Sequence, residues 1–132
     1  MTDKRTGIEL RRDDTGQGPI VTGFSGRGFR VKDDVFPDGL LLTPAKALRW
    51  SDAPAPEQLT LAALGDLLTI DPLPEFLLLG TGAGLRQPPR GFVRELENMG
   101  IGVEAMDSRA AARAWGVLRA EERWIVAALL PL

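Results

Sequence analysis

The sequence contains neither cysteine nor histidine, and both absences narrow what the protein can do. Without cysteine there are no disulfides, no thiolate nucleophiles and no zinc–sulfur sites. Without histidine the chain lacks the commonest general base and the commonest ligand of transition metals. We therefore expect no catalytic residues of the usual kinds, no metal and no cofactor, and the sequence favours a protein that is not an enzyme.

Long apolar runs and an excess of basic residues are also missing. The longest apolar run, residues 125–130, is far shorter than the ~20 residues that span a bilayer. The charged residues at the start are not followed by the apolar stretch of a signal peptide, so we expect a cytoplasmic protein without a transmembrane segment. The 16 basic and 18 acidic residues give a net charge of −2, which argues against a nucleic-acid partner.

The length of 132 residues is typical of a single domain. An apolar content of 44% is enough to form a buried core. Residues 1–18 are rich in charges and in turn-forming residues, so we expect a flexible N-terminal segment there. Residues 19–132 are predicted to form one α/β domain.

The first part of that domain, residues 19–43, is predicted to be a β-meander. Apolar stretches at residues 20–24, 29–31 and 40–43 are separated by short turns rich in glycine and aspartate. Such turns favour antiparallel pairing of neighbouring strands. The run of three leucines at residues 40–42 does not alternate with polar residues, which predicts a strand covered on both faces.

The second part of the domain has the pattern of a βαβ unit. Strands are predicted over residues 75–79, 101–106 and 123–130, with helices that begin near Pro89 and at Ser108. Gly100 and Gly116 are predicted to end these two helices. A further short helix is predicted over residues 61–68, behind Thr60 as its N-cap. This alternation predicts parallel strands joined by right-handed crossovers.

A glycine loop at residues 80–84 follows the strand at 75–79, and it is the best-defined candidate site. Backbone N–H groups at the carboxyl edge of a parallel sheet often bind ligands, and arginine side chains suit carboxylate or phosphate groups. The candidate pocket for an anion or small ligand contains Gly80, Thr81, Gly82, Gly84, Arg86, Arg90 and Glu104. The alternative is that the glycines only allow a tight exit from the strand.

The loop does not have the features of a dinucleotide site. Its spacing is GxGxG rather than GxGxxG, the following helix starts too late for the glycines to open it, and fewer than fifty residues remain after Gly84. Glu104 with Asp107 offers a weak acid/base pair, but Asp107 is more simply a charge at a helix N-terminus. The hydroxyls of Thr81 and Ser108 have no histidine to activate them.

Four stretches, taken in order and with their spacing, resemble a known family. They are residues 26–31 with 40–44 and Trp50; PEFLLLGTG at residues 74–82; GIGVEAMDS at residues 100–108; and residues 122–123 with 127–131. Together they resemble the family of small domains that includes mitochondrial complex I assembly factor 3 and the adipogenesis-associated domain proteins. The resemblance covers residues 19–131.

This resemblance implies a three-layer α/β fold with a central mixed, mostly parallel sheet, in which one strand runs antiparallel to the rest. It also implies that no enzymatic reaction is established for the family, and that relatives help to assemble respiratory complex I through protein contacts. Members often carry a Tyr-Asn pair at the end of the last helix, where this chain has Trp115 and Gly116. A site built on that pair would be altered here.

Three hypotheses about function follow. The first is a non-enzymatic interaction module that binds protein partners and assists assembly of complex I. The alternative is a domain, or a cryptic enzyme, that binds a small molecule or anion through the glycine loop with Arg86 and Arg90. The third is a structural homodimer without a ligand.

Overall fold

The computed structural model describes residues 18–132, and the predicted flexible segment 1–18 lies, except for Gly18, outside the described residues. The described chain forms eight strands and two α-helices. The strands are β1 (Gly23–Ser25), β2 (Gly28–Val31), β3 (Asp34–Phe36), β4 (Leu40–Leu42), β5 (Ala47–Arg49), β6 (Phe76–Gly80), β7 (Gly102–Met106) and β8 (Val126–Leu129). The helices are α1 (Arg90–Asn98) and α2 (Ser108–Ala120), with two 3-10 turns at Pro56–Gln58 and Leu61–Leu64.

The central sheet has five strands in the order β5-β4-β8-β6-β7. Strands β6, β7 and β8 are parallel, and β4 is antiparallel to both of its neighbours, β8 and β5. Strand β4 therefore runs against the other four. This confirms the predicted mixed, mostly parallel sheet with one antiparallel strand.

Strands β1, β2 and β3 form a separate antiparallel sheet in sequence order. It places Phe24, Phe29 and Phe36 side by side across the three strands. This confirms the predicted β-meander. Its third strand was wrong, because β3 was not predicted and the strand expected at residues 40–43 lies in the central sheet as β4. Strand β5 was not predicted either.

The core lies on both faces of the central sheet. On one face Leu77 and Leu79 of β6 pack with helix α1 and the 3-10 segment, and on the other Leu78 packs with Trp115 of α2 and with the meander. All three leucines of β4 are buried, as the absence of alternation predicts. The result is three layers, in agreement with the predicted fold class.

Helix α1 begins and ends where the sequence predicts. Pro89 is its N-cap residue, and Gly100 follows the C-cap residue Met99 with a φ of +83°. Gly100 N–H donates to Glu97 O at 2.9 Å, and Ile101 N–H donates to Leu96 O at 3.0 Å. These two bonds form a Schellman motif, which requires the positive φ that glycine adopts easily.

The predicted helix over residues 61–68 was wrong. The structure has a single 3-10 turn, Leu61–Leu64, capped by Thr60, and it ends at Gly65 with a φ of +57°. Leu64, Leu67 and Leu68 are nevertheless buried. The spacing of these leucines reports burial against the sheet, and two successive turns achieve that burial as well as a helix does.

Helix α2 is longer than predicted. Asp107 rather than Ser108 is its N-cap residue, and its carboxylate accepts the N–H of Ala110 at 2.9 Å. The helix continues through Gly116 to Ala120. A glycine inside a helix costs about 1 kcal/mol relative to alanine, and the burial of the neighbouring Trp115 offsets that cost.

Candidate functional site

The glycine loop leaves the sheet between the ends of two parallel neighbours. Gly80, the last residue of β6, is level with Met106 of β7 and Leu129 of β8. Thr81 N–H donates to Met106 O at 2.9 Å, and Gly80 O accepts the N–H of Leu130 at 2.9 Å. The loop therefore begins at the carboxyl edge of the parallel part of the sheet, as the sequence predicts.

The structure requires glycine at two of the three glycine positions in this loop. A side chain on Gly80 would place its Cβ 2.7 Å from Ser108 Oγ and 2.9 Å from Ser108 Cα, so this position has no room for one. Gly82 has a φ of +104°, which favours glycine. At Gly84 a Cβ would meet no atom of the described residues within 4 Å. The small size of Gly84 leaves the loop open on that side.

The two hydroxyl groups of the site hold the loop in place. Ser108 is fully buried, and its Oγ accepts the N–H of Gly82 at 2.8 Å and donates to Leu130 O at 2.7 Å. Thr81 Oγ1 donates to Gly84 O at 2.7 Å and accepts the N–H of Arg86 at 3.0 Å. Both hydroxyls are thus used as structural bridges.

These bridges decide which backbone donors are available. The N–H groups of Thr81, Gly82 and Arg86 are bonded inside the protein. Among residues 18–132, the N–H groups of Ala83 and Gly84 have no acceptor. The outer part of the loop therefore offers two adjacent donors to a ligand, fewer than the glycine pattern suggests.

A cavity of about 480 Å³ lies over this part of the loop. One wall is residues 53–56, which contribute Pro54 and Pro56, and another is the final segment, residues 130–132. The guanidinium-bearing side chains of Arg27 and Arg86 also line it. Cavities of this volume lie within the range that binds small ligands or short pieces of chain.

The two arginines of the cavity are held differently. Arg86 pairs with Glu57, with Nη2 at 2.6 Å and Nε at 2.7 Å from the same carboxylate oxygen, Oε2. Arg27 donates from Nε to Leu132 O at 2.7 Å, and its own carbonyl accepts the N–H of Leu132 at 2.8 Å. About half of the Arg86 and Glu57 side chains is exposed, so their ion pair is open to exchange with solutes.

The structure brings together some of the residues predicted from the sequence and separates others. Thr81, Gly82, Gly84 and Arg86 line the cavity, and Gly80 lies beneath them in β6. Arg90 is the first residue of α1 and lines a different depression with Gln87 and Arg94. Glu104 is an exposed residue in the middle of β7 and does not line the cavity. Whether any of them binds a ligand stays a prediction.

Sequence reasoning missed Arg27, the segment 53–56 and the segment 130–132. Nothing local marks these residues, since Arg27 and Leu132 are 105 positions apart in the chain.

The charged pair with the clearest electrostatic effect lies at the opposite end of β6. There the hydrogen bond from Arg123 lowers the pKa of Glu75 below its usual value of 4.5, and Glu75 in turn raises the pKa of Arg123.

Within residues 18–132, no group of three or more acidic side chains is placed to hold a metal ion. No helix in this part of the chain is both long enough and apolar enough to cross a membrane.

Comparison with known proteins gave consistent matches. A family model described as "Protein of unknown function (DUF498/DUF598)" matches residues 21–130. The zebrafish protein named NADH dehydrogenase [ubiquinone] 1 alpha subcomplex assembly factor 3 is 26% identical over 128 residues, which cover 97% of this chain and 73% of that protein. An uncharacterized protein from Rhodobacter capsulatus is 33% identical over 115 residues, which cover 85% of this chain and 84% of the relative.

The fold also matches an experimental structure. A crystal structure of a protein from Bordetella parapertussis superposes with a TM-score of 0.78 at 34% identity, and the match covers 89% of this chain and 99% of the other.

Proposed function

The chain belongs to the family of proteins of unknown function DUF498/DUF598, and from that membership we propose that it is a non-enzymatic protein-interaction module that assists assembly of respiratory complex I. The membership confirms the resemblance inferred from the sequence. The observation that carries the proposal is the similarity to animal proteins named as assembly factor 3 of NADH dehydrogenase [ubiquinone]. Because the similarity to the zebrafish protein spans 97% of this chain, it concerns the whole domain.

The surface beside the cavity supports a protein partner. Leu85 follows Gly84 directly and is 57% exposed, and apolar proline and alanine residues line much of the cavity next to it. Protein interfaces commonly combine an apolar core with a polar rim, and arginine is enriched among their residues. This surface is where we expect contact with partner subunits. A cytoplasmic location and the absence of nucleic-acid binding remain predictions from the sequence.

The experiment is deletion of the gene in the native organism combined with affinity capture of the tagged full-length protein. We expect less assembled complex I on native gels, and capture of complex I subunits or of assembly intermediates. Re-expression of the wild-type chain should restore the complex. Unchanged complex I levels together with no captured complex I subunit would overturn the proposal.

The cavity itself favours a second candidate function, which is binding of a small molecule or anion, including as a cryptic enzyme. Two arginines line a space of about 480 Å³, and so do two residues, Ala83 and Gly84, whose N–H groups are unbonded among residues 18–132. Titration with inorganic phosphate, followed by NMR, tests this function directly. If Arg86→Ala leaves the phosphate affinity unchanged, the cavity does not bind the anion.

The third hypothesis, a structural homodimer, is tested separately. Sedimentation of the purified chain measures its mass in solution. A monomeric mass at every concentration would rule out the homodimer. It would not affect the hypotheses of an interaction module or of a ligand-binding domain.

A further inference from the structure

We infer that the cavity over the glycine loop binds a single carboxylate side chain, aspartate or glutamate, carried on a short extended segment of a protein partner. This inference rests on the proposed function, because it names the chemistry by which a partner would be recognised. Four features of the cavity support this recognition: its charge, its free donors, its apolar walls and an internal carboxylate that already holds one of its arginines.

The charge of the cavity is the first feature. The chain as a whole has a net charge of −2, yet among residues 18–132 the charged side chains that line this cavity are those of Arg27 and Arg86 alone. Glu57 does not line the cavity, and its carboxylate is paired with Arg86. Arg86 is thus already paired, and Arg27 donates to Leu132 O, so the two guanidinium groups attract an anionic group that must compete with these partners.

The free donors are the second feature. Ala83 and Gly84 are adjacent in the chain and line the cavity, and their N–H groups have no acceptor among residues 18–132. Adjacent backbone N–H groups in a loop form a concave site for an oxygen anion. Together with Arg86 they can donate to both oxygens of one carboxylate.

The walls are the third feature, and they distinguish a peptide from a free ion. Pro54, Pro56 and Pro131 line the cavity along with three alanines, Leu130 and Leu132. Such walls make little favourable apolar contact with an isolated phosphate or acetate ion. They do provide apolar contact for the backbone and Cβ atoms on either side of a carboxylate side chain.

The fourth feature is the pair between Arg86 and Glu57. Because both oxygen contacts go to the single atom Oε2 and both side chains are about half exposed, Glu57 holds Arg86 in position without burying it. An incoming carboxylate competes with Glu57 for the same guanidinium. Neutralising Glu57 should therefore strengthen binding, whereas neutralising Arg86 should weaken it.

The test uses the full-length ¹⁵N-labelled protein and two blocked tetrapeptides, one of three alanines with a glutamate and the other with glutamine in its place. We expect the glutamate peptide to shift the amide signals of Ala83 and Gly84, and the glutamine peptide to leave them unchanged. Arg86→Gln should lower the affinity about tenfold, the effect of losing one charge-assisted bond. Glu57→Gln should raise the affinity about threefold, since an exposed ion pair is weak.

Arg90→Gln is the matched control, because it removes the same charge from a neighbouring position outside the cavity. It should change the affinity less than about twofold, since an exposed charge outside the cavity is largely screened. If Arg90→Gln and Arg86→Gln lowered the affinity for the glutamate peptide equally, long-range charge alone would explain the effect. That result would overturn the inference. No shift at Ala83 and Gly84 with the glutamate peptide would also overturn it.

Acetate and inorganic phosphate separate a partner segment from a free anion. We expect both ions to bind at least about tenfold more weakly than the glutamate peptide, because they lack the apolar contact with the walls. Equal affinity would assign the cavity to a small anion instead and overturn the peptide inference.

Failure of this inference is distinguishable from failure of the proposed function. If the wild-type protein captures complex I subunits and Arg86→Gln captures them equally well, the interaction stands but uses another surface. If the wild type captures none and complex I is unaffected by deletion, the proposed function itself fails.

Discussion

Replacement of Ser108 by alanine tests the role of the buried hydroxyl that ties the glycine loop to the last strand. Ser108 has no exposed surface, and its Oγ makes one bond to Gly82 N–H and one to Leu130 O, at 2.8 and 2.7 Å. Alanine fits the same space but makes neither bond. The variant therefore isolates the two hydrogen bonds from the packing around them.

The magnitude follows from the burial of the two partners. A buried donor or acceptor that loses its partner costs about 1–3 kcal/mol, and an orphaned N–H group is less tolerable than an orphaned carbonyl. Gly82 and Leu130 are both buried. We therefore expect Ser108→Ala to lower the free energy of unfolding by about 3 kcal/mol, which corresponds to a fall in Tm of roughly 10 °C for a domain of this size.

Urea unfolding followed by tryptophan fluorescence measures the free energy, and NMR measures hydrogen exchange at the amide of Gly82. Ser51→Ala is the control, because Ser51 is exposed and its replacement should change stability by less than about 0.5 kcal/mol. A loss below about 1 kcal/mol for Ser108→Ala would refute the reasoning. Such a result would mean that the loop satisfies the Gly82 N–H in another way at little cost.

Three other predictions concern neighbouring features. Gly80→Ala should destabilise the protein by at least about 2 kcal/mol in thermal unfolding, because the new Cβ would lie 2.9 Å from the backbone of Ser108; an unchanged Tm would contradict this. Asp107→Ala should cost about 1 kcal/mol through loss of the helix cap, and the asparagine variant should restore most of it. Glu75→Gln should destabilise at pH 7 and less at an acidic pH below the ordinary pKa of 4.5. Because Arg123 lowers the folded-state pKa of Glu75, its ion pair stabilises the fold above the ordinary pKa and is lost as the pH falls through the lowered one. An equal difference at both pH values would refute that assignment.

The strand–helix–strand unit from β6 to β7 was predicted correctly because its signals are local. An apolar run forms β6, a proline precedes α1, and Gly100 closes it with the hydrogen bonds of a Schellman motif. Each of these depends on residues within a few positions of one another. The sheet with one antiparallel strand came instead from family resemblance, since no local pattern specifies the order of strands.

The errors have a physical reason in common. The leucine spacing over residues 61–68 indicates a buried face. Two successive turns bury these leucines against the sheet as well as a helix would. Glycine often follows the end of a helix, yet α2 continues past Gly116 because the helix buries Trp115 in the core. In both places tertiary packing overrides local preference.

The glycine loop, its place at the end of a buried strand and the lack of cysteine or histidine chemistry can all be read from the residues alone. The surroundings of the loop depend on the tertiary structure of the folded chain. It brought Arg27 and Leu132 together across 105 positions, paired Arg86 with Glu57, and placed Arg90 outside the cavity. It also showed that Ser108 occupies the loop's own donor at Gly82. These contacts join distant parts of the chain, and their geometry depends on how the layers pack rather than on any local pattern of residues.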